Sequence, residues 1–177
     1  MDGVILITGI MAAGKSTVAQ ALAERLPRAA HVRGDAFRRM LVSGRVEYEP
    51  GAGPGSEAEA QLRLRYSLSA ATADAYARAG FTAVVQDVVL GDNLTAYVEL
   101  VRTRPLYVVV LAPRPEAVAE REAGRAKTGY GAWTVGDLDR GLRADTPRVG
   151  LWLDTSEQTV GQTVDAILTG RERARIR

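Results

Sequence analysis

The sequence lacks cysteine, which excludes disulfide bonds, thiolate metal sites and cysteine nucleophiles. It also lacks an apolar run long enough to span a membrane, and its N-terminus passes directly into a predicted strand, so we expect neither a membrane span nor a signal peptide. Lysine is scarce, since only Lys15 and Lys127 occur among the 23 Lys and Arg residues. The single histidine, His31, lies in a predicted strand, where a structural role is more common than a catalytic one. These absences favour a cytoplasmic protein.

Length and composition describe one globular domain. At 177 residues, of which 46% are hydrophobic and 25% charged, the chain can bury a core but is short for two domains, so we predict a single domain over residues 1–177. The formal net charge is only +2, whereas nucleic-acid binders more often carry a clustered basic face. The one dense basic cluster, residues 171–177, is interpreted as a solvated terminus. Nucleic acid is therefore not an expected partner, and the sequence leaves a homo-oligomer open.

Strand and helix patterns alternate along the chain. The predicted strands are residues 4–8, 30–33, 81–90, 106–112 and 150–153. The predicted helices are residues 15–26, 36–42, 56–78, 94–103, 115–122, 135–143 and 160–168, with Thr134 as candidate N-cap of the sixth and Ser156 or Thr159 of the last. This alternation predicts the α/β class, with a five-stranded parallel sheet sandwiched by helices. The third and fourth strands are near-continuous apolar runs, as expected for strands covered on both faces.

The most specific motif lies directly after the first predicted strand. Residues 9–17 read G-I-M-A-A-G-K-S-T, which is the Gly-x4-Gly-Lys-Ser pattern of a phosphate-binding loop (P-loop). A helix begins near Lys15, with Val18, Leu22 and Leu26 at helical spacing, so the motif has the strand–loop–helix context that it requires. A glycine-rich turn without this function would not need all four motif residues. The chain is therefore predicted to bind a nucleoside triphosphate in a P-loop fold.

Each residue type of the motif has a physical role. Glycine permits backbone angles that let consecutive N–H groups face phosphate oxygens, and the helix N-terminus adds unpaired N–H groups and its positive dipole end. Lys15 would reach the β- and γ-phosphates, and the Ser16 hydroxyl would be a ligand of Mg²⁺. The predicted nucleotide-binding residues of the loop are Gly9, Ala12, Ala13, Gly14, Lys15, Ser16 and Thr17.

A candidate catalytic base follows the second predicted strand. Asp35 is expected at the carboxyl end of a strand next to the P-loop strand, where open parallel sheets bind ligands. There it could accept the proton of a substrate hydroxyl that attacks the γ-phosphorus. Arg38, one turn later, would face the same way and bind an anionic substrate or the transferred group. The alternative is that Asp35 only caps the helix that follows.

A second carboxylate, Asp87, lies near the end of the third predicted strand. A buried aspartate is costly unless a cation or a hydrogen-bond donor meets it. In P-loop enzymes that partner is often Mg²⁺, held together with the loop hydroxyl, so Ser16 and Asp87 are the predicted metal ligands. The alternative is a strand-end aspartate that faces solvent or caps the next segment.

Two arginines follow the fourth predicted strand. Arg121 and Arg125 are four residues apart, so a continuous helix would place them on one face. Cations there could close over the γ-phosphate, stabilise charge in the transition state and help to exclude water, or they could form only a solvated face. Asp154 and Thr155, at the turn after the fifth strand, are candidates for contact with the nucleotide base, with Arg125 on its other side. An ordinary strand-to-helix cap is the alternative for that turn.

Two segments are predicted to lie beside the reaction. Residues 113–133 carry the arginine pair and are predicted to form a short lid. Residues 43–58 are rich in glycine and proline, so we expect a flexible loop that is either a substrate lid or a passive insertion. The side chains of residues 43–66 that line the space beyond the γ-phosphate would indicate the acceptor. Aromatic and apolar walls favour a drug-like molecule, whereas carboxylates such as Glu47 and Glu49 favour an aminated or polyhydroxylated one.

Taken together, these residues resemble the small-molecule branch of the P-loop kinases, and within it the chloramphenicol phosphotransferase family. The resemblance spans most of the chain and rests on residues 9–17, Gly34-Asp35, Gln86-Asp87-Val88-Val89-Leu90-Gly91, residues 119–125 and Asp154-Thr155. It implies a five-stranded parallel core, ATP with Mg²⁺, Asp35 as the base, and Arg121 and Arg125 as lid arginines. The Asp-x-x-Arg pattern of Asp35 and Arg38 is also similar to polynucleotide kinases and zeta-toxin-like kinases.

The resemblance implies an ATP-dependent kinase that phosphorylates a hydroxyl of a small molecule, which could be an antibiotic or a metabolite. The catalytic residues would be Lys15, Asp35, Arg121 and Arg125, and the substrate-binding residues Asp35 and Arg38. Residues 43–59 match no acceptor pocket of the family, so the identity of the acceptor stays open. Two alternatives remain: a nucleotide-binding or ATPase switch without an acceptor, and a polynucleotide kinase, against which the small net charge argues.

Overall fold

A computed structural model describes residues 1–124 and 132–176, which form an α/β fold. Within them, five parallel strands make one sheet in the order β2-β3-β1-β4-β5, which confirms the predicted class. The strands are β1 (Val4–Thr8), β2 (Ala29–Arg33), β3 (Thr82–Gln86), β4 (Leu106–Leu111) and β5 (Leu151–Leu153). The helices are α1 (Lys15–Arg25), α2 (Gly34–Arg39), α3 (Glu57–Arg78), α4 (Asp92–Leu100), α5 (Pro115–Ala123), α6 (Val135–Arg140), α7 (Val160–Thr169) and α8 (Arg171–Ala174), and a π-helix (Gly141–Asp145) follows α6.

The three central strands carry the core. Every residue of β1, β3 and β4 is buried, and the apolar side chains of these strands belong to one cluster with those of the surrounding helices. The near-continuous apolar runs of the sequence therefore predicted doubly covered strands correctly. No helix in the two described ranges combines the length and the hydropathy that a membrane span requires.

Strand β3 ends at Gln86, earlier than the predicted residue 90. The Asp87 N–H still donates to the Ile7 carbonyl of β1 at 3.2 Å, but from Val88 onward the backbone bonds to side chains. The Tyr66 hydroxyl donates to the Val88 carbonyl at 2.8 Å. Thr8 Oγ1 donates to the carbonyl of Val89 and accepts from its N–H, both at 2.9 Å. These bonds satisfy the backbone outside the strand ladder, so the regular pairing stops there.

The strand that precedes Asp35 is not next to the P-loop strand, contrary to the sequence-based expectation. β3 lies between β2 and β1 and pairs with both. The predicted adjacency is therefore wrong, because the connection through α1 passes over β3 before β2 begins. The capping alternative for Asp35 is wrong as well, since α2 starts at Gly34 with Arg33 as its N-cap and has no side-chain capping bond. The end of β3 thus separates Asp35 from the P-loop.

The glycine- and proline-rich loop contains neither helix nor strand over residues 43–56, as predicted, whereas α2 ends at Arg39, before the predicted residue 42. The Gln61 side chain of α3 holds this loop in place. Its Oε1 accepts from the Val46 N–H at 2.9 Å, and its Nε2 donates to the Gly44 carbonyl at 2.8 Å. Ser56 ends the loop as the N-cap of α3.

The late helices show which caps were predicted correctly. Thr134 and Thr159 are the N-caps of α6 and α7, each within a capping box, so Thr159 and not Ser156 starts the last predicted helix. The helix predicted over residues 135–143 is divided into α6 and the π-helix. Of the predicted lid, residues 125–131 lie outside the described residues, and with them lies Arg125.

Gly150 provides a test of the fold. Its φ is +76°, and a Cβ there would collide with the Val108 carbonyl oxygen. We expect Gly150→Ala to lower the free energy of unfolding by about 1–3 kcal/mol, because both the backbone conformation and the collision penalise a side chain. Gly136→Ala in α6 is the matched control, since its φ is not positive and alanine there should be neutral or stabilising. Urea unfolding measures both values, and equal effects of the two substitutions would contradict this account.

Candidate nucleotide and acceptor site

A cavity of about 1310 Å³ opens where the P-loop, α2, the end of β3 and the turn after β5 meet. Most of the predicted site residues line it: Ala12, Ala13, Gly14, Lys15, Ser16, Thr17, Asp35, Arg38, Asp87, Arg121 and Thr155. Gly9 and Asp154 are not among the lining residues. Segments that are distant in the sequence therefore meet in one space at the carboxyl ends of the parallel strands, where such sheets bind ligands.

The P-loop has the backbone geometry of an anion site. Gly9 has a φ of +143°, and a Cβ there would collide with the Leu111 carbonyl oxygen. Ala12 has a φ of +59°, which is uncommon for a residue with a side chain and is often found at ligand sites. Gly14, with a φ of +93°, is the N-cap of α1. Helix α1 therefore begins at the loop, where its unpaired N–H groups and positive dipole end attract phosphate.

Lys15 and Ser16 begin α1 in different environments. Lys15 is 8% exposed, and its Nζ donates to the Ile10 carbonyl at 2.7 Å. The ammonium group is therefore held within the loop and not in bulk solvent. Ser16 is exposed and lines the cavity. A Mg²⁺ ion keeps several waters and takes phosphate oxygens as ligands, so one hydroxyl at this position fits its needs.

Asp35 and Arg38 both line the cavity, and each belongs to an ion pair. Arg39 Nη1 lies 2.8 Å from Asp35 Oδ2, and the Gln86 side chain donates to Asp35 Oδ1 at 3.4 Å. Arg38 pairs with Glu47 of the glycine-rich loop. The Asp35 side chain is 40% exposed, so its carboxylate is open to a molecule in the cavity.

Asp87 is buried, and the cation that meets it is Arg65 of α3. Arg65 Nε donates to Asp87 Oδ2 at 2.8 Å, and Arg65 Nη2 donates to Asp87 Oδ1. The Val88 N–H also donates to Oδ1, at 2.7 Å. The sequence predicts a cation at this carboxylate but assigns Mg²⁺, and the metal role of Asp87 stays a prediction. The sequence does not indicate Arg65 as this cation. The one clue it offers is that Arg65 is next to Tyr66, a buried residue of α3.

Two aromatic residues link the glycine-rich loop to the segment before α6. The rings of Tyr48 and Trp133 are stacked, with centroids 6.4 Å apart and 8° between their planes, and Trp133 Nε1 donates to the Tyr48 carbonyl at 3.0 Å. Both residues line the cavity, as do Glu47 and Glu49. This part of the cavity therefore has an aromatic wall and an acidic wall. No sequence pattern indicates the aromatic pair, because both residues lie in irregular segments.

The turn after β5 is held by Arg121, which donates from Nη2 to the carbonyls of Thr155 at 2.6 Å and of Ser156 at 3.3 Å. Asp154 Oδ1 accepts from the Ser156 hydroxyl at 2.5 Å and from the Ser156 N–H at 2.9 Å, and these bonds lower the pKa of Asp154. Thr155 is 3% exposed, and its hydroxyl has no hydrogen-bond partner within residues 1–124 and 132–176. Buried hydroxyls usually have partners, so this one is suited to a ligand.

The isosteric substitution Thr155→Val tests whether that hydroxyl serves a ligand. We expect the free energy of unfolding to stay the same or rise slightly, since the removed hydroxyl has no partner in the described protein. The affinity for ATP should fall about fivefold to tenfold, which corresponds to one hydrogen bond. Calorimetric titration with ATP measures this loss, and Thr155→Ser, which keeps the hydroxyl, is the control. Unchanged ATP affinity in Thr155→Val would rule the contact out.

The strand order, the P-loop between β1 and α1 and the adjoining cavity define an α/β protein with the P-loop fold. Residues 4–139 match the AAA_33 family, an AAA domain, and the chain belongs to this family. No curated protein matches the chain significantly.

Solved structures share this fold over nearly the whole chain. A sugar kinase from Janibacter sp. HTCC2649 is 19% identical, with a TM-score of 0.71 and coverage of 98% of this chain and 96% of that chain. The tunicamycin resistance protein of Deinococcus radiodurans is 17% identical, with a TM-score of 0.71 and coverage of 100% and 99%. An APS kinase of Mycobacterium tuberculosis, solved with AMPPNP and APS, is 16% identical, with a TM-score of 0.70 and coverage of 97% and 98%. At these identities the likeness establishes the fold alone.

Proposed function

We propose that the protein is an ATP-dependent phosphotransferase that moves the γ-phosphate to a hydroxyl of a small molecule. The observation that carries this proposal is the position of Asp35: a carboxylate from outside the P-loop lines the same cavity as Lys15 and Ser16. A site that only binds nucleotide has no need of a carboxylate at this position, whereas transfer to a hydroxyl can use one as the base. Family membership, and a fold shared with proteins named sugar kinase and APS kinase, support the proposal.

The cavity residues have complementary roles in this transfer. Asp35 accepts the proton of the acceptor hydroxyl while its oxygen forms a bond to the γ-phosphorus, and the bond from phosphorus to the β–γ bridging oxygen breaks to release ADP. Lys15 and the N-terminus of α1 bind the phosphate oxygens, and Arg38 binds the acceptor or the transferred group. Mg²⁺, with Ser16 as a ligand, would neutralise phosphate charge when bound.

The remaining predicted residues are assigned to the nucleotide. Thr155 is proposed to contact the base through its buried hydroxyl, and Asp154 fixes the turn that carries it. Arg121 bonds to the Thr155 carbonyl of this turn and lines the cavity, which supports a role for its cation at the nucleotide. With Arg125 it is proposed to close over the phosphates and to stabilise charge in the transition state.

The residues on the proposed acceptor side of the cavity favour an acceptor that contains a ring and hydroxyl groups. Tyr48 and Trp133 offer a flat apolar surface, and Glu47 and Glu49 offer hydrogen-bond acceptors for hydroxyl or amino groups. Glu47 already pairs with two arginines, Arg38 and Arg45, so Glu49 is the more available of the two carboxylates. An antibiotic remains a candidate acceptor, in keeping with the resemblance to chloramphenicol phosphotransferase and with the fold shared with a tunicamycin resistance protein.

Incubation of the protein with γ-³²P-labelled ATP and Mg²⁺ tests the proposal. The acceptor panel contains simple alcohols, sugars, nucleosides, aminocyclitols and chloramphenicol, and an oligonucleotide with a free 5′-hydroxyl forms a separate arm. Label in a small-molecule product supports the proposal. Label in the oligonucleotide alone would identify a polynucleotide kinase, and ADP formation without any labelled product would favour an ATPase.

A further inference from the structure

We propose that Asp87 anchors Arg65 and is not a ligand of the metal, and that Arg65 binds the terminal phosphate of the nucleotide. This inference rests on the proposed binding of ATP in the cavity, but not on transfer to an acceptor. It assigns a role to Arg65 and replaces the predicted role of Asp87.

The surroundings of the Asp87 carboxylate leave no face for a metal ion. The side chain is 0% exposed, and both of its oxygens accept from Arg65. Oδ1 accepts a further hydrogen bond from the Val88 N–H. Oδ2 lies so close to the backbone of Gly34 that a Cβ there would collide with it. Because Mg²⁺ demands octahedral coordination and keeps several waters, this enclosed carboxylate does not suit it.

Exchange of Arg65 for a metal ion would also be unfavourable. The pair is bidentate, and a planar guanidinium matches a carboxylate in this geometry better than any other side-chain cation. If Arg65 moved away, Asp87 would remain as an uncompensated buried charge until another cation replaced it. Gly34, at the start of α2, has the space to accept the carboxylate only because it lacks a side chain.

The Arg65 guanidinium has a nitrogen that the pair with Asp87 does not use. The pair with Asp87 uses Nε and Nη2, and no residue that the structure describes accepts a hydrogen bond from Nη1. The side chain is 16% exposed and lines the cavity together with P-loop residues. Burial lowers the pKa of Arg65, whereas Tyr66, Asp35 and Glu47 raise it and Arg38 lowers it further, so the guanidinium remains charged among these groups.

The sheet places Asp87, the anchor of this guanidinium, next to the strand that leads into the P-loop. Gln86 of β3 is paired in register with Ile7 of β1, so Asp87 is level with Thr8, the residue that precedes the P-loop. The free N–H groups of Nη1 are donors of the kind that bind phosphate oxygens in proteins. The γ-phosphate is the part of the nucleotide nearest to the acceptor side, where Arg65 lies with Asp35.

Metal binding is tested with Mn²⁺ as the probe, by electron paramagnetic resonance of the protein–ADP complex. We expect Asp87→Asn to change Mn²⁺ affinity by less than about twofold, since the carboxylate touches no metal. Ser16→Ala is the positive control and should weaken Mn²⁺ binding about tenfold or more. An Asp87→Asn effect as large as that of Ser16→Ala would overturn the anchoring role.

The role of Arg65 is tested with AMPPNP and ADP, whose affinities are measured by calorimetry in the presence of Mg²⁺. Arg65→Gln should weaken AMPPNP binding about tenfold and leave ADP binding unchanged, because only AMPPNP carries the terminal phosphate. Arg63→Gln on the same helix is the matched control, since Arg63 is 73% exposed and pairs with Glu59 outside the cavity. Equal changes for both nucleotides, or no change, would overturn the role.

A double variant separates this effect from poor folding. Arg65→Gln alone leaves Asp87 buried without a cation, so its Tm is expected to fall. The combination of Arg65→Gln with Asp87→Asn removes both charges and should recover Tm while keeping the loss of AMPPNP affinity. Recovery of AMPPNP affinity in the double variant would overturn the inference. If the unaltered protein binds no nucleotide, the proposed function is overturned as well. If the protein transfers phosphate but Arg65→Gln leaves the ratio of AMPPNP affinity to ADP affinity unchanged, only the inference is overturned.

Discussion

An Asp35→Asn variant is expected to transfer phosphate about 10²–10⁴-fold more slowly than the parent protein while it binds ATP equally well. The amide keeps the shape of the side chain but cannot accept the proton of the acceptor hydroxyl. ATP binding should not change, since Asp35 lies outside the P-loop and its bonds to the described residues are to Arg39 and Gln86. Loss of the exposed pair with Arg39 should cost little stability. Transfer to the best acceptor of the panel and calorimetric ATP affinity are the two measurements.

Asp92→Asn is the matched control for this substitution. Asp92, like Asp35, is the acidic residue in the first turn of a helix that follows a strand, and it is exposed outside the cavity. It therefore reproduces the change in helix-dipole interaction without the change at the site. Parental transfer rates in Asp35→Asn, or an equal loss in Asp92→Asn, would remove Asp35 from the role of base.

A Lys15→Met variant is expected to lose both ATP affinity and transfer, with transfer about 10²–10³-fold slower. Methionine keeps most of the apolar stem but removes the charge that meets the phosphates. Lys15 is almost fully buried, so removal of its charge relieves a desolvation cost that should offset the lost bond to the Ile10 carbonyl, and Tm should change little. Titration with ATP, transfer kinetics and thermal unfolding together measure this result.

Lys15→Arg tests whether the position requires a compact cation in addition to positive charge. The planar guanidinium keeps the charge but is larger than the ammonium, and the Lys15 side chain is already buried, with its Nζ bonded to the Ile10 carbonyl of the loop. We expect this variant to recover little of the lost transfer. Full recovery by arginine would show that charge alone matters, and unchanged ATP affinity in Lys15→Met would contradict the phosphate-binding role.

The parts that could be predicted from the sequence are those whose signals are local. The apolar run of β1, the motif residues and the helical spacing of Val18 and Leu22 in α1 lie within one short segment. The same holds for Thr134, whose capping box involves only its own helix turn. The five-strand α/β class also follows from local patterns, because the alternation of strands and helices already limits the sheet to parallel pairing.

The parts that could not be predicted depend on which distant residues pack together. Nothing in residues 29–39 indicates that β3 separates β2 from the P-loop strand, since both arrangements would bury the same side chains. The need of Asp87 for a cation could be predicted from burial, but whether Mg²⁺ or an arginine meets it depends on how α3 lies against the sheet. Arg65 is one of many arginines in the sequence, and only its position distinguishes it.

The stacked pair of Tyr48 and Trp133 gives the protein a built-in optical probe. The sequence has two tryptophans, and the second, Trp152, belongs to β5, where Arg148 covers its ring at 4.1 Å. A Trp152→Phe background would leave the emission of Trp133 alone to report on the glycine-rich loop. The Tyr48 ring stacked on Trp133 and the hydrogen bond to the Tyr48 carbonyl set the environment of the Trp133 indole. Displacement of the glycine-rich loop therefore becomes visible as a shift of the emission spectrum, without any attached dye.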